Sequence, residues 1–153
     1  MTLLEIASVV LLGTLSGALL TEGVVLVPYW RSLHASEFAH MHHDFAPRLY
    51  TFFAPLTAVA VTLTVASGVV HAWADDGRRL WPSLGAAIAA LSLLLFYGAY
   101  FKAANARLPE TAVKDDQVEL QRELRRWHRV HQWRTAICVL AFVLATFAIH
   151  PAQ

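Results

Sequence analysis

Cysteine occurs once in this sequence, at Cys138, inside an apolar run near the end of the chain. A single thiol builds neither a disulfide framework nor a Cys-rich metal motif. Charge is scarce as well: Asp, Glu, Lys and Arg supply 15% of the residues, against about 25% in ordinary soluble domains. A net charge of +1 leaves no broad basic field, and the arginines crowd beside one apolar run, which excludes nucleic acid as a partner. No Lys or Arg precedes the first apolar run, which begins almost at Met1 and carries Glu5. A cleaved signal peptide needs a basic n-region and a small-residue cleavage site, so this run is expected to remain as a helix. Internal repeats and low-complexity segments are also missing.

What the sequence does have is apolar length. Hydrophobic residues make up 57% of 153 positions, and they fall into four runs near the roughly 20 residues that cross a bilayer. The spans are expected at about 3–27, 49–74, 80–101 and 135–150. Pro28, Tyr29 and Trp30 mark the exit of the first, with aromatics suited to an interface. Pro55 and Gly68 lie in the second, and Asp75, Asp76 and Gly77 form the turn after it. Trp81 and Pro82 open the third, and Pro151 stops the fourth. The expected fold is all-α: a single membrane domain over residues 1–153, a four-transmembrane-helix bundle with helical extensions at one end.

Four spans put both termini and the loop at Gly77 on one side. That side has Arg78 and Arg79; the other ten basic residues, from Arg31 to Arg134, belong to the opposite side. Under the positive-inside rule the loops after spans one and three are cytoplasmic and the termini outside. The stretch from Lys114 to Arg134 has no Gly or Pro and is expected to run into span four as one helix. At helical spacing Leu120, Leu124, Trp127 and His131 share one face and Arg122, Arg125, Arg126 and Arg129 the opposite one. The stretch from His34 to Phe45 is also helix-compatible, and Pro47 is expected to separate it from span two.

By this topology His34, His40, His42, His43, His128 and His131 gather at the cytoplasmic end. The rise of about 1.5 Å per residue places the His40/His43 and His128/His131 pairs at one level. Glu22 lies just inside the same end of span one, where an acid costs roughly 2.5–3.5 kcal/mol and calls for a partner. His128 and His131 are three apart, and Glu37 with His40 forms Glu-x-x-His, a spacing that lets two side chains reach one ion. Imidazole and carboxylate donors suit a first-row transition metal, iron or copper in preference to zinc. The expected ligands are Glu22, Glu37, His40, His43, His128 and His131. The competing reading makes the histidines interfacial residues that bond headgroups. Phe38, Met41 and Phe45 share a helical face with His34 and His42; if that face packs inward, His42 replaces His40 and His43. At the other end His71 and His150 offer a minor alternative, a haem clamp. Gly13 and Gly17 form a GxxxG pair, which points to close helix packing. Tyr97, Tyr100 and Asn105 end span three as an aromatic belt or, in a sharper reading, as a substrate contact.

The chain resembles the anthrone oxygenase-like family of small four-helix membrane proteins. The resemblance rests on the Gly-rich first span ending at Pro28, the Pro55-bearing second span, and Asn105 with Leu108. Trp127-His128 and Arg134-Thr135 leading into span four complete it, so that it extends over nearly the whole chain. It implies cofactor-sparing or metal-assisted oxidation of an aromatic or quinol-like substrate. The histidines depart from the family pattern: His128 stands where Asn is usual, and the cluster at His40, His42 and His43 is not a family feature.

Two classes of function follow. In the first, the protein is a membrane oxidoreductase acting on a hydrophobic or aromatic molecule that enters from the lipid bilayer, with Glu22 as ligand or general base and Tyr97 orienting the substrate. In the second, it is a binding or transport module whose Glu22 and histidines pass metal ions or protons, which requires a homo-oligomer because four short helices rarely enclose a pathway. A structural subunit without chemistry is the remaining alternative.

Overall fold

The computed structural model describes residues 2–74 and 77–149. The chain folds into four long rods. Helix α1 (Leu3–Thr21) continues through a wide π turn (Glu22–Leu26) into α2 (Val27–Ser32). Helix α3 (Ala35–Trp73) forms the second rod alone. Helix α4 (Gly77–Phe96) continues through a second π turn (Tyr97–Phe101) into α5 (Lys102–Val113), and α6 (Gln117–Ile149) is the fourth rod. All four are long and apolar enough to cross a membrane. Val10, Val24, Ile88, Leu95 and Phe147 point outward, an apolar exterior that lipid satisfies. The protein is a multi-pass membrane protein, an all-α four-helix bundle.

Each rod packs against its neighbours in sequence, and α6 closes the ring by packing on α1. Small residues let the backbones approach: Ala60, Ala86, Ala90, Ala141 and Cys138 meet Leu12, Leu15, Leu19 and Leu93 in the membrane core. Gly13 serves this packing, since a β-carbon there would stand 3.1 Å from the Phe142 ring, whereas one at Gly17 would meet nothing within 4 Å. The GxxxG pair is therefore one contact and not two.

Helices do not end where the apolar runs end. Proline at position 47 does not separate an arm from span two, because α3 runs unbroken through both Pro47 and Pro55. In a bilayer a helix that continues past a missing N–H satisfies more backbone groups than one that stops. Likewise the first rod passes Pro28 after its π turn, where the Val27 N–H bonds the Glu22 carbonyl. The third continues to Val113 instead of fraying at Phe101. These extensions bury a second core of Val27, Trp30, Phe38, Phe101, Leu108, Leu120, Leu124 and Trp127. The expected helix into span four begins at Gln117, after a turn that Asp115 makes with φ of 54°. Its buried face is Leu120, Leu124, Trp127 and His131, and Arg122, Arg125, Arg126 and Arg129 are exposed, as the spacing requires.

Candidate functional site: an ion pair in the wall of an apolar cavity

The two π turns stand opposite the first half of α3, and each supplies one polar side chain, Glu22 and Tyr97, to a cavity of about 640 Å³. Wide turns of this kind are frequent at functional sites because they re-aim the side chains around them. The rest of the wall is mostly apolar and aromatic: Leu15, Leu19 and Leu93 at the membrane-core end, Phe38, Met41, Tyr50 and Phe53 from α3, Trp30 and Trp127 at the extension end. Lys102, Asn105, His42 and Arg134 add polar groups.

Glu22 is buried, and its partner is Arg134. Arg134 Nη2 donates to Glu22 Oε2 at 3.0 Å, joining the first and last rods. The same nitrogen donates to His131 Nδ1 at 2.8 Å. His131 Nε2 is 2.9 Å from the Leu19 carbonyl, which can only accept, so Nε2 carries the hydrogen and Nδ1 holds the lone pair that Arg134 uses. His131 is thus a neutral spacer with both nitrogens committed. Its ring stacks on Trp127 at 4.9 Å, while Arg134 lies over Phe101 at 4.2 Å. Trp127 Nε1–H donates to Asn105 Oδ1 at 2.8 Å. One guanidinium is therefore fixed by a carboxylate, an imidazole and an aromatic face, which holds its charge in one place in a low-dielectric wall.

The six residues expected to hold a metal are divided. Glu22 and His131 approach to 3.6 Å, with Arg134 on the same carboxylate oxygen. Glu37 instead caps α3, accepting the His34 backbone N–H at 3.0 Å. His40 and His43 are exposed, and His128 is half-buried on α6. The aromatic face of α3 packs inward, with Phe38 buried 5.5 Å from His42, and it is His42 that lines the cavity. Among the described residues no three His, Cys, Asp or Glu side chains stand together as a metal-binding group. A cation beside Glu22 would also meet the arginine charge, and the one lone pair of His131 is already taken by Arg134. The residues present do not fit a metal ion here. Nor does the haem alternative fit at the other end: His71 bonds Glu5 through Nε2 at 2.8 Å and Ser83 through Nδ1 at 2.6 Å. His150 lies outside the described residues.

Arg134, the buried partner of Glu22, entered the sequence reading only in the count of basic residues and in the resemblance. The signal for it was present: an intramembrane acid needs a cation, and Arg134 is the basic residue at the mouth of the last apolar run. Trp127 was expected on the protein-facing side of its helix and Asn105 at the end of span three, and the bond between them was not legible.

Together these features define a class, multi-pass helical membrane proteins with a large apolar cavity and one buried ion pair in its wall. The model of the anthrone oxygenase family matches residues 46–144, and the chain belongs to that family. The match includes Tyr97, Asn105, Trp127, His131 and Arg134 but leaves out Glu22, so it is narrower than the resemblance over nearly the whole chain. No curated protein and no solved structure matches.

Proposed function

We propose that this chain is a membrane oxygenase for a hydrophobic aromatic or quinol-like molecule with an acidic C–H, and that Glu22 and Arg134 carry the chemistry. The observation that carries this reading is the Glu22–Arg134 pair in the wall of an otherwise mostly apolar cavity. Such a cavity takes up a flat apolar molecule from the membrane, and its few polar groups orient it. Both Arg134 and His131 approach one carboxylate oxygen, Oε2, so the other oxygen of Glu22 is available to take a proton. Removing the acidic C–H proton leaves an electron pair spread over the rings, and the fixed guanidinium faces that negative charge. Dioxygen takes the pair as a C–O bond forms, and the proton returns from Glu22 to give a hydroperoxide. Loss of water from it leaves a carbonyl, so a methylene and O₂ become a ketone and H₂O. Tyr97 orients the ring from the second π turn.

Oxygen uptake by protein in lipid nanodiscs tests this, with anthrone as the probe and a short-chain quinol, which has no acidic C–H, as the comparison. Turnover of anthrone in preference to the quinol, with Glu22→Gln lowering the rate at least about 100-fold, is expected for loss of a general base. A rate unchanged in Glu22→Gln sinks the assignment.

A further inference from the structure

The end of the bundle away from the cavity holds a second polar cluster that the proposed reaction does not use. Glu5 is buried to 3% exposure, and its carboxylate is bonded by the Thr2 N–H, by His71 Nε2 at 2.8 Å and by Arg79 at 3.2 Å. His71 Nδ1 is 2.6 Å from the Ser83 hydroxyl, and Ser8 and Thr64 share a hydrogen bond of 2.9 Å. Between these groups lies a small void of about 10 Å³, lined by Glu5, by the hydroxyl residues Ser8, Thr64, Ser67 and Ser83, and by Ala86, Ala145 and Ala148. That volume is the threshold for one water molecule, and the Glu5 carboxylate and the hydroxyls supply the few polar partners that a buried water needs.

We propose that this void is a single-water site that reads the protonation state of the Glu5–His71 pair. The occupant is water and not a cation, because Arg79 already faces the Glu5 carboxylate and the other polar liners are hydroxyls, which both donate and accept. Bond directions follow from the pair. While Glu5 is a carboxylate and His71 neutral, Nε2 carries the hydrogen and donates to Glu5. Nδ1 then accepts from Ser83, whose lone pairs face the void and accept from the water. When the pair takes up one proton, both imidazole nitrogens carry hydrogen. Ser83 must turn to accept from Nδ1 and donate into the void, and the water turns with it. Among the described residues the charged and titratable groups facing the cluster are Glu5 on α1, His71 on α3 and Arg79 on α4. From α6 the void receives only Ala145 and Ala148. Inward of it the chain meets the apolar core of Leu12, Ala60, Ala86 and Ala90. A proton entering here therefore stops at the pair; the site senses and does not conduct.

Infrared difference spectra between acid and alkaline pH, recorded on the full chain in bilayers in ordinary and ¹⁸O-labelled water, test the site. The expected result is a water O–H band that shifts with the isotope and changes with pH. In the double replacement Glu5→Gln with His71→Gln the isotope-sensitive band persists but no longer responds to pH. In Ser67→Val, which fills the void, the band disappears while circular dichroism shows an intact bundle. No isotope-sensitive band in the wild-type protein, or a band indifferent to pH, overturns the proposal. A band that shifts on exchanging potassium for sodium overturns it in favour of a cation site.

Discussion

A β-carbon added to Gly23 would stand 3.1 Å from Cδ2 of His131, tighter than nine in ten real β-carbon contacts. His131 cannot give way, because the Leu19 carbonyl, Arg134 and the Trp127 ring hold it on three sides. Gly23 is thus the space that lets the first rod approach the imidazole supporting Arg134. Gly23→Ala is expected to destabilise the bundle by about 1–3 kcal/mol, the usual cost of overpacking. Alanine by itself favours a helix by about 1 kcal/mol, so Gly17→Ala, with open space around its β-carbon, is expected to be neutral or stabilising. Thermal unfolding in one detergent compares the two; equal midpoints would remove the steric argument.

The Glu22–Arg134 pair makes a second prediction. Removing one partner strands a buried charge, and the loss is expected to be about 3–5 kcal/mol for Glu22→Leu or Arg134→Leu alone. The double replacement leaves no charge and is expected to recover much of that stability while remaining inactive. A double-mutant cycle on unfolding and oxygen uptake separates the roles. Full activity in the double variant would reduce the pair to a structural feature.

A third concerns metal. Since the two nitrogens of His131 are engaged and His40, His43 and Glu37 lie elsewhere, oxygen uptake is expected to survive chelator treatment and the His40→Ala and His43→Ala changes. Elemental analysis beside the rate measurement checks this. Activity lost to the chelator and restored by iron or copper would show that the histidines regroup around an ion.

Orientation is the fourth. By the positive-inside rule the ten basic residues away from the Gly77 end lead to the expectation of Lys114 in the cytoplasm and Gly77 outside. In intact cells an impermeant thiol reagent is expected to label Gly77→Cys and to spare Lys114→Cys; the native Cys138 is buried and adds little background. The opposite labelling reverses the topology and leaves the cavity unchanged.

Much of this molecule follows from its sequence alone. Four apolar runs define four rods, because lipid offers no partner to an unbonded backbone group. The periodicity from Leu120 to His131 names the buried face of α6 in the same way, since helical spacing is local. An acid at position 22 announces a buried partner for a similar energetic reason. Local rules did not give the partner itself. Glu22 and Arg134 are 112 positions apart, and only the closing of α6 onto α1 brings them within a hydrogen bond. Counting histidines by depth grouped residues at one level of the membrane but could not say which way each side chain turns around its helix. Packing decided that: Phe38 faces inward and carries His42 with it, leaving His40 and His43 outside. Glu5, His71 and Ser83 read separately as an early acid, an interfacial histidine and a helical serine. They become a cluster only because α1, α3 and α4 pack side by side, a relation set by the shapes of distant residues and written in no single segment.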